Sequence, residues 1–130
     1  MQPPIYTNSD GVALNGHDPV AYFTVGAPTK GNPSISREWS GAIWLFSSTK
    51  HRDLFDADPH SYAPAFGGHC AVGQVTGRQF RGSPKRWRIE DDRLFVNKNL
   101  MASVMFRPFR TKIHQLARRS QGPAEPQDVL

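Results

Sequence analysis

Cys70 is the only cysteine in this chain of 130 residues and its strongest candidate nucleophile. A single cysteine excludes an internal disulfide and a zinc site built from several thiolates. The preceding Gly67-Gly68 pair permits a sharp turn that can place the thiol at a helix start, where peptide dipoles favour the thiolate. The sequence therefore allows a reactive or metal-binding thiol. The alternative is a buried structural cysteine, which is common among free cysteines.

The five histidines do not predict a metal site by their spacing. No pair has the His-x-x-x-His separation that places two imidazoles on one helical face. His17 lies beside Asp18 and His69 lies beside Cys70, so either imidazole could join a site completed by distant residues. For most of the histidines the alternative is a surface or capping role, because a metal site needs several converging groups.

The short motifs of common enzyme classes are absent from the chain. It has no Gly-x-x-x-x-Gly-Lys-Ser/Thr phosphate loop, no Gly-x-Ser-x-Gly elbow and no Gly-x-Gly-x-x-Gly dinucleotide turn. We therefore expect a binding domain rather than an enzyme. The alternative is a redox protein or enzyme in which the Cys70 thiolate reacts and His69 or His17 acts as base.

Short helices and strands must position these residues. Asp18 followed by Pro19 predicts a short helix, and the glycines and prolines of residues 26–35 predict a loop. The apolar run 42–46 predicts a strand, and Ser48 or Thr49 can cap the helix that follows it. No internal repeat is visible.

Asp91-Asp92 separates two strand-like segments and predicts a β-hairpin over residues 86–96. We predict an α+β fold in which this hairpin and the 42–46 strand share one small antiparallel sheet packed with short helices. The expected core residues are Phe23, Trp44, Phe46, Phe55, Tyr62, Trp87 and Phe95.

The length of 130 residues suits one domain. We expect a flexible lead-in over 1–13, a folded domain over 14–119 and a disordered tail over 120–130. No apolar stretch approaches the roughly 20 residues that span a bilayer, and no signal peptide is visible. These features fit a cytoplasmic protein, or a mature exported protein whose signal has been removed.

The net charge of +5 is concentrated near the C-terminus. Residues 1–97 have nearly equal numbers of acidic and basic side chains, whereas every charged side chain in residues 98–124 is a cation. Such a segment can bind nucleic acid, an anionic surface or a protein groove, or it can be a solvated helix face. The cations considered for binding are Arg107, Arg110, Lys112, Arg118 and Arg119. We expect residues 98–119 to be helical, with a kink or restart at Pro108. The cations should point outward, and an apolar stripe should pack on the domain: Leu100, Val104, Phe109, Ile113 and Leu116.

Several motifs resemble those of the longer, stand-alone YHS-domain proteins. Residues 14–23 (LNGHDPVAYF) are similar to the opening G-Y/H-D-P-V-A-Y-F, and residues 39–48 (WSGAIWLFSS) to W-x-G-A-x-x-x-F-x-S. Residues 51–64 resemble R-D-x-F-x-x-x-P-x-x-Y-x-P, and residues 66–71 (FGGHCA) resemble Y-G-G-Y/H-C-A. Residues 87–97 are similar to the closing W-x-I…L-Y-L-N hairpin. The motifs run in the expected order from Leu14 to Asn97.

The resemblance implies a small α+β domain related to treble-clef-like metal-binding modules, with copper or zinc as the metal. Short YHS modules carry Asp-Pro-Val-Cys and Phe-Cys-x-x-x-Cys, whereas this chain has Ala21, Ser47 and His51 at those cysteine positions. Thiolates select soft metals, so their loss argues against the ancestral site unless His51 remains a ligand. Cys70 belongs to the longer type's own motif.

The leading hypothesis is a small YHS-type binding domain that holds a metal ion or small ligand in a pocket around Cys70. Its candidate metal ligands are Cys70, His69, His17, Asp18 and His51, and its candidate cofactor contacts are Tyr22 and Tyr62. The two rivals are the thiol-dependent redox protein or enzyme and a basic adaptor that binds a partner through its C-terminal helix.

Overall fold

The computed structural model describes residues 5–121, which fold as the predicted α+β class. The helices are α1 (Ala21–Thr24), α2 (Thr49–Ala57), α3 (Pro59–Tyr62), α4 (Leu100–Met105) and α5 (Arg110–Gln121). The strands are β1 (Asn32–Trp39), β2 (Ala42–Phe46), β3 (Ser83–Glu90) and β4 (Arg93–Asn97). Short 3-10 segments cover Leu14–Gly16, Ala65–Gly68 and Val72–Thr76. None of the helices in the described residues is both long enough and apolar enough to cross a bilayer.

The strands form two separate antiparallel pairs, β1 with β2 and β3 with β4. The predicted 42–46 strand and the hairpin around Asp91-Asp92 are confirmed, but their placement in one sheet is wrong. β1 also includes residues 32–35, the last four of the loop predicted over residues 26–35. Each apolar strand pairs with its sequence neighbour across a two-residue turn, which costs less loop entropy than pairing across some forty residues.

The two hairpins recur with an offset of 51 residues. β1 and β3 have the same length, β2 and β4 have the same length, and both pairs have a register irregularity near the start of the first strand. Ser40-Gly41 and Asp91-Asp92 form equivalent turns with positive φ at both residues, the conformation that matches hairpin twist.

The repeat continues on both sides of the hairpins. Ser48 and Asn99 lie two residues beyond β2 and β4, and each side chain accepts a hydrogen bond from the N–H three residues later. Upstream, His17 and His69 follow equivalent 3-10 segments, and each ring Nδ1–H donates to the carbonyl three residues earlier, at 3.1 and 2.9 Å. The chain therefore contains two structural units, one from Leu14 through α2 and one from Phe66 through α4.

This repeat corrects the expectation that none exists. Few equivalent positions of the two units have the same residue, because different residues with similar conformational preferences can form the same turn or cap. The identical pairs within the hairpin and helix regions are Gly31 and Gly82, Pro33 and Pro84, Arg37 and Arg88, and Phe55 and Phe106.

Each unit contributes a hydrophobic cluster built on equivalent positions. Trp44 and Phe55 centre the first cluster, and their equivalents Phe95 and Phe106 centre the second; all four are fully buried. Of the predicted core residues, Trp44, Phe46, Phe55 and Phe95 are buried, and Phe23, Tyr62 and Trp87 are partly buried against the first cluster.

The C-terminal segment packs differently from the prediction. The predicted interruption at Pro108 is confirmed, since α4 ends at Met105 and α5 begins at Arg110. Ile113 is buried and Leu116 is partly buried, as predicted. Leu100, Val104 and Phe109 are instead 58%, 60% and 37% exposed. On α4, Ala102 and Phe106 occupy the face that contacts the domain.

The described part of the predicted flexible lead-in contacts the domain. Tyr6 N–H donates to the Gly67 carbonyl, Thr7 bridges to Ala13, and Val12 bridges to Ile43. Residues 1–4 and most of the predicted tail lie outside the described residues, and Ser120 and Gln121 belong to the end of α5.

Gly31 and Gly82, the residues before β1 and β3, should be the glycines least tolerant of substitution. A Cβ at Gly82 would overlap the Gly68 carbonyl oxygen and Val96 Cγ2, and a Cβ at Gly31 would lie 2.6 Å from the Leu45 backbone. We expect Gly82→Ala to lower the free energy of unfolding by about 3 kcal/mol or more. Urea denaturation measures the change. Gly11→Ala, where a Cβ meets open space, should cost only about 1 kcal/mol. Equal losses would refute the close-approach argument.

Candidate functional site

The five predicted metal ligands do not converge on one point. Among the residues that the structure describes, no group of three or more His, Cys, Asp or Glu side chains is placed to hold a metal ion. Asp18 and His51 do meet, with Oδ2 of Asp18 2.7 Å from Nδ1 of His51. Cys70, His69 and His17 each have other partners.

Asp18 is a buried carboxylate that joins three segments of the first unit. Its Oδ1 accepts the N–H groups of Val20 and Ala21, at 2.9 and 3.3 Å, and so caps the start of α1. Its Oδ2 accepts from the backbone N–H and the hydroxyl of Ser47, at 2.8 and 2.7 Å, and from His51 Nδ1. The short helix predicted after Asp18 is confirmed, but it begins only at Ala21, with Val20 as its N-cap residue.

The Asp18–His51 pair extends to a hydroxyl that the sequence analysis did not single out. His51 Nδ1–H donates to Asp18, and Thr24 Oγ1 lies 3.0 Å from Nε2, the other ring nitrogen of His51. This carboxylate–imidazole–hydroxyl order is the one found in hydrolytic triads. Neither of the two clefts described below is lined by these residues. No sequence signal links positions 33 residues apart.

Cys70 is the equivalent of Asp18 in the second unit, and it is 1% exposed. Its thiol donates to Asn97 Oδ1 over 3.7 Å, and its backbone N–H donates to the Phe80 carbonyl. Asn97 Oδ1 also accepts the Val72 N–H, the bond that corresponds to Val20 with Asp18. The amide of Asn97 thus supplies the acceptor that the thiol cannot, which suits a structural cysteine.

His17 and His69 are tied to the backbone of their own units. Burial lowers the pKa of His17, and the nearby ammonium groups of Lys30 and Lys85 act in the same direction against the opposing hydrogen bond to Leu14. His69 packs against the Tyr6 ring at 5.8 Å between centroids. Both Nδ1 atoms already donate to carbonyls, which leaves Nε2 as the remaining ring nitrogen.

The two predicted cofactor contacts lie in the core region of the first unit. Tyr22 is buried, donates its hydroxyl to the Pro84 carbonyl at 2.8 Å and packs on Trp87. Burial, reinforced by the Asp18 carboxylate, raises the pKa of Tyr22 above its usual range. Tyr62 packs edge-on against Phe23. Both rings therefore have packing partners of their own.

A cleft of about 570 Å³ lies beside the segment that contains His69 and Cys70. Its floor is near that segment because Arg81 bridges to His69 and Tyr6 packs on the same imidazole. The volume falls within the usual range for small-molecule sites. Four parts of the chain line the cleft: residues 6–9, Asn15, residues 81–84 and Lys98.

The charged side chains that line this cleft are all cations. The lining includes two cations, Arg81 and Lys98, and no carboxylate. Asn8 Oδ1 already accepts two backbone N–H groups, and Asn15 Oδ1 accepts from Asn8. The Arg81 guanidinium forms no ion pair with any of residues 5–121, and Lys98 Nζ lies 3.9 Å from the Phe80 ring centroid. The cleft is thus suited to an anion.

The sequence does contain a signal for this cleft, a local excess of cations, but a charge count over residues 1–97 conceals it. The analysis treated residues 1–97 as nearly neutral, yet residues 59–89 contain five cations and no acid. These cations are Arg78, Arg81, Lys85, Arg86 and Arg88. A narrower window would have indicated an anion-binding region.

A second cleft, of about 510 Å³, lies where α5 meets the second hairpin. Glu90 is its central group and binds Arg110 through two hydrogen bonds of 2.9 and 2.8 Å and His114 through one of 2.8 Å. The hydrogen bonds from Arg110 lower the pKa of Glu90 to about 2. Arg110, one of the cations considered for binding an anionic partner, therefore forms its ion pair within the chain.

Comparison of the chain with family models, with curated proteins and with solved structures found no match.

Proposed function

We propose that this chain is a non-enzymatic binding domain, of the YHS type that its motifs resemble, whose 570 Å³ cleft takes a small organic anion bearing a phosphate group. The observation that carries the proposal is the lining, which has two cations and no carboxylate. A phosphate monoester is an anion with several acceptor oxygens, the complement of a site whose charged side chains are a guanidinium and an ammonium.

Arg81 is the principal contact for the phosphate. Its guanidinium has no ionic partner among residues 5–121, and arginine binds phosphate through paired hydrogen bonds. Lys98, the residue that follows β4, adds a second positive charge to the cleft lining. Tyr6 offers an aromatic surface for the organic part of the ligand.

The burial of Cys70 supports a ligand site that lies beside the thiol and does not use the sulfur as a ligand or nucleophile. The ligand site lies beside the His69–Cys70 segment, and the thiol itself faces Asn97 in the interior. Thiol catalysis needs an accessible sulfur, and a soft-metal site needs several ligands around the ion. The geometry favours a site made of cations and amides instead.

Calorimetric titration tests the proposal with adenosine monophosphate, glucose 6-phosphate and their uncharged parents, adenosine and glucose. We expect the phosphate esters to bind and the uncharged parents to give no heat. Arg81→Ala should weaken binding about tenfold or more, because a hydrogen bond to a charged group is lost. Arg86→Ala is the matched control, since Arg86 is an exposed cation outside the cleft lining.

Two outcomes would overturn the proposal. One is the absence of measurable binding by either phosphate ester at millimolar concentration. The other is an equal loss of affinity in Arg81→Ala and Arg86→Ala, which would indicate attraction to net charge alone.

A further inference from the structure

Helix α4 exposes an apolar surface that nothing in the described chain covers. Its outward side chains, with Phe109 just beyond Pro108, form what we call the α4 face. The exposed fractions are 58% for Leu100, 70% for Met101, 60% for Val104, 36% for Met105 and 37% for Phe109. Isolated exposed apolar residues are ordinary, whereas five neighbouring ones in a small domain mark an interaction surface.

The internal repeat provides a control for this surface. α2 occupies the same position in the first unit, and its buried Phe55 corresponds to the buried Phe106. At the outward positions the two helices differ in chemistry: Thr49, Lys50 and Asp53 correspond to Leu100, Met101 and Val104. All three α2 residues are exposed, so this fold accepts polar residues there. The apolar character of the α4 face is therefore not required by packing.

The charge around the α4 face indicates the occupant. Lys98 precedes α4 and Arg107 follows it, so each end of the face carries an exposed cation. Lys112, Arg118 and Arg119 lie exposed on α5, and residues 98–121 contain no Asp or Glu. A partner must therefore combine an apolar interior with an anionic border. A second copy of this chain would bring the same cations together, and nucleic acid has no apolar interior to receive leucine and methionine.

We infer that the α4 face inserts into the interface of an anionic lipid bilayer, with Leu100, Met101 and Val104 among the acyl chains and the flanking cations at the headgroups. An amphipathic helix with basic flanks binds such surfaces through apolar burial together with electrostatic attraction. A flat bilayer also needs no groove on the protein, and neither described cleft is lined by the α4 face.

Vesicle co-sedimentation tests the inference. The full chain is mixed with phosphatidylserine–phosphatidylcholine vesicles in equal parts, and with phosphatidylcholine vesicles alone. We expect binding to the anionic vesicles, weaker binding to the neutral ones, and a decline as salt screens the headgroup attraction.

The critical variant is the double substitution Leu100→Thr with Val104→Asn. It preserves net charge and approximates the residues that α2 carries at the equivalent positions, so the fold should be unchanged by circular dichroism. Partitioning to anionic vesicles should fall about tenfold or more, because two inserted side chains are lost. Val25→Asn is the matched control, since Val25 is 60% exposed but belongs to the first unit.

Three results would overturn the inference. Absence of binding to anionic vesicles at low salt would do so, and so would a double variant that binds as tightly as the unsubstituted chain. A concentration-dependent dimer in sedimentation velocity that the same double variant abolishes would identify a second copy as the occupant instead. Phosphate-ester binding in the cleft should be unaffected by this variant, so the two proposals succeed or fail separately.

Discussion

Replacing Asp18 with alanine is expected to lower the free energy of unfolding by about 4 kcal/mol, a large share of the stability of a small domain. The carboxylate is completely buried and accepts five hydrogen bonds. Alanine would leave donors from α1, from Ser47 and from His51 without an acceptor. An unsatisfied buried donor costs about 1–3 kcal/mol, and partial access of water to Ser47 and His51 keeps the total below the simple sum.

Urea denaturation followed by tryptophan fluorescence measures this loss. Asp53→Ala is the matched control, because Asp53 is an exposed carboxylate on α2, and it should change stability by less than about 0.5 kcal/mol. Asp18→Asn keeps the shape but presents an amide N–H₂ to existing donors, so it should also destabilise the protein. A loss under about 1 kcal/mol in Asp18→Ala would contradict the assigned role of the network.

Cys70 should react with an aromatic disulfide reagent at least about a thousandfold more slowly in the native protein than in the unfolded chain. The sulfur is 1% exposed and bonded to Asn97, so attack requires local or global opening. Because the chain has one cysteine, the released coloured thiolate reports on this site alone. Zn(II) or Cu(I) should give no further protection, since the described residues offer no group of three ligands.

Cys70→Ala provides the companion measurement. Asn97 keeps its bond from the Val72 N–H, so the expected cost is about 1–2 kcal/mol from lost packing, with binding in the cleft unchanged. Rapid labelling of the native protein, or metal-dependent protection from labelling, would contradict the structural role. Either result would restore the soft-ligand or nucleophile hypothesis for Cys70.

Local signals in the sequence predicted several elements because short-range physics decides them. The run 42–46 is apolar and β-branched or aromatic in part, Asp91-Asp92 tolerates positive φ, and Ser48 offers an oxygen to the first turn of α2. Each depends on neighbours within a few residues. The same reasoning located the break near Pro108, although not its effect on packing.

The candidate sites were beyond such reasoning because they join distant segments. Asp18 meets His51 only after β1 and β2 have formed the hairpin between them, and the cleft gathers residues from position 6 to position 98. The repeat was hidden for a related reason. Its two units share backbone conformation and hydrogen-bond positions, which residues of different identity can supply.

The sequence by itself determined β2, the hairpin around Asp91-Asp92, the Ser48 cap, the single thiol and the basic C-terminal segment. Only the tertiary structure decided which apolar face is covered. α4 carries apolar residues on both sides, so its helical period identifies two candidate faces and cannot rank them. In the structure, the side of α4 that carries Ala102 and Phe106 packs on the domain. This side brings the Phe106 ring against Phe95, with 5.3 Å between the ring centroids. That choice leaves Leu100, Met101 and Val104 exposed to solvent or to a partner.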